Sequence, residues 1–254
     1  MPAPNPRLFI ESAQIGTVLE SLGAEDDTVV PVNLDKLPAG VVSGTTLIDF
    51  SAAPSAAVRA GVSLAMLFAS RVATATSKPD DAPDEWLAAY TSNLGQLGFS
   101  VAGTAIVHSK FKKTGLRVHQ AIIPFLTVAF GGAAVGPIIL AGLKNLQEKD
   151  ANAPWITLFD RETRRFNAQE MHFAAVSADE AETTIKYAIA RLDVATQATT
   201  ILFVKLTDAN AEFESSTTTM RANNGLLATI EPDLRQRLQT MIRSFISAAP
   251  LTPP

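Results

Sequence analysis

The chain has 254 residues, a formal net charge of −4 and no cysteine. The acidic balance and the lack of a basic stripe argue against a nucleic-acid-binding protein, so nucleic acid is not expected as a partner. The absence of cysteine excludes disulfides, thiolate metal ligands and a cysteine nucleophile. Hydrophobic residues make up 47% of the chain, which is enough for a substantial folded core.

The N-terminal region begins with a proline-rich arm and has no basic region followed by an apolar one. This pattern is not that of a secretory signal peptide, and it predicts a soluble protein that is cytoplasmic or exported by another route. Apolar residues between Phe9 and Leu22 predict a helix that ends at Gly23. Residues 28–34 and 44–50 read as short extended pieces.

Two further helices are predicted in the first half of the chain. The stretch from Ala56 to Thr76 has only two charged residues and is apolar on most sides, which indicates a buried helix. A helix-breaking stretch at 78–83, which contains Pro79 and Pro83, follows this helix. The next helix begins near Pro83 and ends at Gly98, with a stripe of apolar residues on one face.

After residue 150 the pattern changes to that of strands. Residues 155–159 and 167–176 predict a hairpin whose turn is Asp160 to Thr163, and residues 182–194 alternate as a further strand. Residues 201–206 and 211–220 predict a second hairpin. The final helix is predicted from Leu226 to Ile246, with Pro232 near its start.

The predicted fold class is therefore α+β. A mostly helical N-terminal half precedes an antiparallel β-meander of about five strands and a C-terminal amphipathic helix. The first region, 1–150, contains a central apolar hairpin, and the second, 151–254, contains the sheet and the closing helix. The two regions are either separate or parts of a single domain with one shared core.

The segment from Ala121 to Leu143 is the most unusual feature of the sequence. Its 23 residues carry no charge, and about 20 apolar residues are enough for a helix to span a bilayer. The Gly131-Gly132 pair and the Gly136-Pro137 pair interrupt it, however. This spacing predicts two short helices folded against each other, about 118–130 and 137–147.

The residues of this segment are the candidates for contact with a membrane, and basic residues before it are candidates for an anionic surface. The membrane candidates are Ile122, Ile123, Phe125, Leu126, Phe130, Gly132, Gly136, Ile138, Ile139 and Leu140. The anionic-surface candidates are Lys110, Lys112, Lys113 and Arg117.

These features predict a soluble, non-enzymatic protein that stores a membrane-active hairpin, of the kind found in components of pore-forming toxins. The expected partner is a lipid bilayer or another protein, and the oligomeric state stays open. One alternative is an interaction or accessory protein whose apolar helices are only core. Another is an enzyme whose site leaves no local motif. Burial of Phe125, Phe130, Ile138 and Ile139 would favour the core interpretation.

No catalytic residue, metal ligand or cofactor site is predicted. The three histidines, His108, His119 and His172, lack the paired spacing that directs two imidazoles at one metal. The glycines from Gly131 to Gly136 fit neither the P-loop nor the dinucleotide fingerprint, so they give no evidence for phosphate binding.

Overall fold

The structure is a computed structural model. It describes residues 5–16, 32–53, 55–77, 82–101, 107–112, 114–132, 135–166, 169–192, 200–207 and 212–251. The second part of the first predicted helix, up to Gly23, and most of the extended piece at 28–34 lie outside these residues.

Nine helices occur in the described residues. They are α1 (Pro6–Ser12), α2 (Ala56–Thr76), α3 (Pro83–Gln96), α4 (Val118–Ala121), α5 (Ile123–Ala129), α6 (Pro137–Asn145), α7 (Pro154–Thr163), α8 (Asn224–Leu238) and α9 (Ile242–Phe245). Short 3-10 turns occur at Leu34–Lys36, Glu148–Asp150 and Ile201–Phe203.

Eight strands form one mixed sheet within the described residues. They are β1 (Gly40–Ser43), β2 (Thr46–Ala52), β3 (Ser100–Val101), β4 (Val107–Lys112), β5 (Glu170–Ala178), β6 (Glu182–Leu192), β7 (Glu212–Asn223) and β8 (Ile246–Ala248). The order across the sheet is β3-β7-β6-β5-β2-β1-β8, and β4 also pairs with β7.

Several strand pairings join the two halves of the chain, and one of them, β2 with β5, is parallel. Strands β5, β6 and β7 form an antiparallel meander, and β1 and β2 form an antiparallel hairpin. Strand β2 then runs parallel to β5, with Thr46 opposite His172. The sheet therefore contains strands from before and after residue 150.

Alternating strand residues divide the core into two layers. On one side, which we call the α2 face, Ile48, Ala174 and Tyr187 pack with residues of α2, α3 and α8. On the other side, the α6 face, Phe173 and Ala188 pack with residues of α4 to α7. Helices therefore cover both faces of the sheet, and the α+β class is confirmed.

The predicted order of helices followed by strands differs from the structure. Strands β1 to β4 lie before residue 150, and α7 and α8 lie after it. Residues 155–159, predicted as a strand, belong to α7, and the predicted turn at Asp160 to Thr163 is the last turn of that helix. Residues 201–206 begin with a 3-10 turn rather than a strand. The consecutive meander is thus shorter than predicted.

Helix α2 is the only one in the described residues that is long and apolar enough to cross a membrane, and it does not overlap the segment at 121–143. Its most apolar 18-residue window is 83% buried inside the protein. A buried core helix of a soluble protein has the same length and composition, so α2 is weak evidence for a membrane span.

Candidate membrane-contact site

The apolar segment forms α5 and α6 and the end of α4, and it packs on the α6 face of the sheet. Of the ten membrane candidates, the buried ones are Ile122, Leu126, Phe130, Gly136, Ile138, Ile139 and Leu140, whereas Ile123, Phe125 and Gly132 are partly exposed. Most of the predicted contact residues are therefore core residues in this conformation.

Glycines make the connection between α5 and α6 possible. Gly131 has a φ of 80° and Gly136 a φ of 73°, both in the left-handed region that glycine adopts most easily. A Cβ atom on Gly136 would lie 2.6 Å from Cδ2 of Phe130. Because no side chain fits there, the two helices can fold tightly against each other only with glycine at this position.

The solvent-facing side of α5 is unusual because it carries no charge. Val128 is 80% exposed, and Pro124, four residues earlier in the same helix, is also exposed. Thr127, the polar residue of this helix, donates its hydroxyl to the carbonyl of Ile123, 2.9 Å away. A surface helix of a globular protein usually carries charged or polar residues on its outer side. Sequence reasoning missed Val128, which was not among the candidates.

A buried carboxylate from the sheet caps the start of α6. Asp49 on β2 is 1% exposed. Its Oδ2 atom accepts hydrogen bonds from the backbone N–H groups of Ile138 at 2.7 Å and Ile139 at 3.0 Å, and Oδ1 accepts one from Ser51. Since Gly136 has no capping side chain, Asp49 satisfies amides that the helix leaves unpaired and places negative charge at its positive end.

A lysine from the sheet binds the other side of the same turn. The Nζ atom of Lys186 on β6 donates to the carbonyl oxygen of Phe130, 2.5 Å away, at the C-terminus of α5. A cation is favourable at this negative end of a helix. Asp49 and Lys186 therefore anchor the two helix ends that meet at the glycine turn.

His119 forms a third anchor at the base of the segment. Its Nδ1 atom lies 2.7 Å from the carbonyl oxygen of Leu143, and since a carbonyl only accepts, Nδ1 carries the proton and donates it. The imidazole therefore joins α4 to α6. Burial lowers the pKa of His119 below the ordinary 6.5, and Arg117 lowers it further, while the hydrogen bond to Leu143 opposes both.

This shift predicts that acid weakens the fold through His119. Its pKa is lower in the folded chain than in the unfolded chain, so its contribution to stability is complete above about pH 6.5 and is lost as pH falls below that value. We expect His119→Gln to remove a pH dependence of at most about 1.4 kcal/mol per pH unit. Urea unfolding at pH 7.5, 6.5 and 5.5 measures it, and identical pH dependence in both proteins would contradict the assignment.

Among the four anionic-surface candidates before the segment, Arg117 is the one whose side chain the structure describes. The register of β4 with β7 places Lys110 opposite Glu214 and Lys112 opposite Glu212, while Lys113 lies outside the described residues. Arg117 forms an ion pair with Glu148. Because Arg117 is paired with a carboxylate, the geometry gives little support to its part in an anionic-surface site.

Sequence reasoning also missed a buried polar cluster on the α2 face. The Nε2–H of His172 donates to Glu170 at 3.2 Å, and the hydroxyl of Tyr187 donates to Nδ1 at 2.6 Å. Arg191 binds the same glutamate through Nε at 2.6 Å. Burial raises the pKa of Tyr187 well above its ordinary value, which keeps the hydroxyl protonated as a donor.

This cluster has the residue types of a catalytic arrangement, but a substrate has no access to it. Thr45 Oγ1 is 3.5 Å from the imidazole, which completes a set of hydroxyl, histidine and carboxylate. Thr45, His172 and Glu170 are each at most 2% exposed, so a substrate does not reach them in this conformation. The arrangement stabilises the junction of β2, β5 and β6.

No protein-family model matches this chain, and no curated protein sequence matches it. The segment at 121–143 and the side chains that anchor it are the features of this structure that bear most directly on function.

Proposed function

We propose that this protein is a conditional membrane-binding protein, in which α5 contacts a bilayer first and the hairpin of α5 and α6 then leaves the sheet. The observation that carries this proposal is the uncharged outer side of α5, with Val128 80% exposed to solvent. Exposed apolar patches mark sites of contact with membranes or proteins, and the exposed Pro124 and the partly exposed Phe125 and Ala129 lie on the same helix as Val128.

The way the hairpin is held supports a conditional release. The segment between Arg117 and Lys144 contains one titratable residue, His119. Polar bonds from Asp49 and Lys186 attach the segment to the sheet, and His119 joins α4 to α6 within it. The apolar contacts of Phe130 and Ile139 with the sheet can be replaced by acyl chains, because lipid is as apolar as the core. Loss of a few polar bonds would then favour the membrane-bound form.

A second function is favoured by a different observation. Phe130, Ile138 and Ile139 are buried, as the core interpretation predicts, whereas Phe125 is partly exposed. In that case the protein is an interaction module, the hairpin stays on the sheet, and the exposed part of α5 docks a protein partner. The two functions differ in whether the protein binds vesicles in the absence of any partner.

Val128→Glu tests the membrane function with little risk to folding, because the side chain is exposed. We expect it to lower binding to anionic vesicles by about tenfold or more, since it removes an apolar contact and adds a charge that is costly in a bilayer. Co-flotation with vesicles and release of a trapped dye, from neutral to acidic pH, provide the measurements.

Leu8→Glu is the matched control. Leu8 on α1 is 59% exposed, and α1 contacts the α2 face of the sheet through Ile10. The proposal predicts normal flotation of this variant. If the wild-type protein binds no vesicles, or if both variants lose vesicle binding equally, the membrane function is contradicted and the protein-interaction function is favoured.

A further inference from the structure

A cavity of about 410 Å³ lies at the end of the sheet distant from the meander. It is lined by the 3-10 turn that contains Lys36, the start of α7 and the edge strand β8. This volume falls in the range of small-molecule sites. The cavity does not include any residue of the segment at 121–143, so the inference below is independent of the proposed membrane function.

The walls of the cavity are apolar and rigid. Pro38, Pro154 and Pro250 line it. A proline ring fixes the backbone φ and provides no N–H donor, so these residues form preorganised apolar surface. Such walls favour an apolar ligand body and need little ordering when it binds.

The polar side chains that line the cavity, besides Trp155, are Lys36, Asn33 and Ser247, and each of them can donate a hydrogen bond. The side-chain oxygen of Asn33 already accepts from the N–H of Asp35 at 2.9 Å. None of the carboxylates in the described part of the chain lines the cavity. Asp35, the nearest acid in sequence, pairs with Arg235 at 2.7 Å, and no carboxylate of the described residues forms an ion pair with Lys36. Lys36 is thus an exposed cation at the cavity that no carboxylate of the described residues neutralises.

Trp155 adds a second, independent indication of a ligand. It lines the cavity and is 4% exposed, yet its indole N–H has no acceptor among the residues that the structure describes. An indole N–H that the described residues leave without an acceptor is available to an acceptor group of a ligand at the cavity. Trp155 also lies in the first turn of α7, whose N-cap residue, Ala153, provides no side-chain cap, so the positive end of this helix adds to the attraction for a negative group.

We infer that this cavity binds a small organic carboxylate with an apolar body. The carboxylate accepts from Lys36, Asn33 and Trp155, and the apolar body lies against the proline walls. A neutral molecule of the same shape gains the apolar contacts but not the ionic ones. The site therefore binds a carboxylate more tightly than a neutral molecule with the same apolar body.

Octanoate and octan-1-ol are suitable probes, and their binding can be measured from the NMR signals of the indole N–H groups. The chain has two tryptophans, and Trp86 is fully buried with its indole N–H bonded to Thr74 at 3.0 Å. We expect octanoate to shift the Trp155 signal and leave the Trp86 signal unchanged. Octan-1-ol should bind at least about tenfold more weakly, because a hydrogen bond to a charged group is stronger than one to a neutral group.

Lys36→Met tests the head-group contact, and Lys144→Met, an exposed lysine at the end of α6, is the matched control. Loss of about tenfold in octanoate affinity in the first variant and none in the second supports the inference. A Trp155 signal that does not respond to octanoate overturns it. Equal affinity for octanoate and octan-1-ol, or for wild type and Lys36→Met, overturns it as well.

Discussion

Replacing Asp49 by alanine is expected to lower the free energy of unfolding by about 3 kcal/mol, because the change leaves buried amides without an acceptor. The N–H groups of Ile138 and Ile139 at the start of α6 lose their hydrogen-bond partner. Urea unfolding measures the loss. If the proposed function is correct, the same variant also binds anionic vesicles more strongly than wild type under conditions where both are folded, since α6 is held less firmly.

Asp179→Ala is the matched control for this prediction. Asp179 also accepts hydrogen bonds from two backbone N–H groups, those of Ala181 and Glu182, each at 2.8 Å, but in an exposed turn where water replaces the lost acceptor. We expect a smaller loss of stability and no change in vesicle binding. An Asp49→Ala protein as stable as the control would show that Asp49 does not anchor α6.

Glu162→Gln is expected to destabilise the protein by about 3–5 kcal/mol, because it breaks a buried ion pair and leaves a guanidinium uncompensated. Glu162 on α7 lies 2.9 Å from Nη2 of Arg71 on α2, and both side chains are 1% exposed. Burial alone would raise the pKa of Glu162, but Arg71, Arg165 and Arg161 together lower it. Burial lowers the pKa of Arg71 to about 10, so both groups are charged at neutral pH.

Two comparisons separate the pair from general damage to the core. The double variant Arg71→Met with Glu162→Leu should be more stable than Glu162→Gln, because it removes both charges together. Glu182→Gln breaks an exposed pair with Arg221, 3.5 Å apart, and should cost about 1 kcal/mol or less. Thermal and urea unfolding measure all three, and a Glu162→Gln loss as small as that of Glu182→Gln would contradict the assignment.

Local pattern was sufficient to predict several elements of the fold. Helix α2 was predicted from Ala56 to Thr76, which are its observed bounds, because a long apolar run without a breaker has few alternatives. The division of the segment at 121–143 into two short helices was also predictable. The glycines of the turn adopt positive φ, as Gly132 does with 121°, and Pro137 occupies the first turn of α6.

Other elements depend on contacts that local pattern does not contain. Trp155 and Phe159 were predicted as strand residues, but they face the core from α7. The local sequence fits both an alternating strand and a helix that starts at Pro154, so periodicity alone does not decide between them.

The last helix was predicted from Leu226 to Ile246, with its regular part starting near Pro232. In the structure α8 runs from Asn224 to Leu238 with Pro232 inside it, and Ile246 begins β8. In α8, packing of the helix face against α2 outweighs the hydrogen bond that proline removes.

The candidate site was less predictable than the fold, because its decisive features are long-range. Asp49 and Ile138 are 89 residues apart in sequence, and Lys186 and Phe130 are 56 apart. These contacts depend on the parallel pairing of β2 with β5 and the register of β6, which no local motif specifies. The exposure of Val128 likewise depends on which side of α5 the sheet covers.

The release of the hairpin is tested most directly by the distance between α5 and the sheet. The chain has no cysteine, so spin labels can be placed at Val128 and at Glu180, an exposed residue of the turn between β5 and β6. A control pair at Leu8 and Glu180 reports on α1. With anionic vesicles at acidic pH, we expect pulsed electron paramagnetic resonance to show a longer 128–180 distance with a broader distribution. The 8–180 distance should stay unchanged. A 128–180 distance that does not change when vesicles are added would contradict the proposed function.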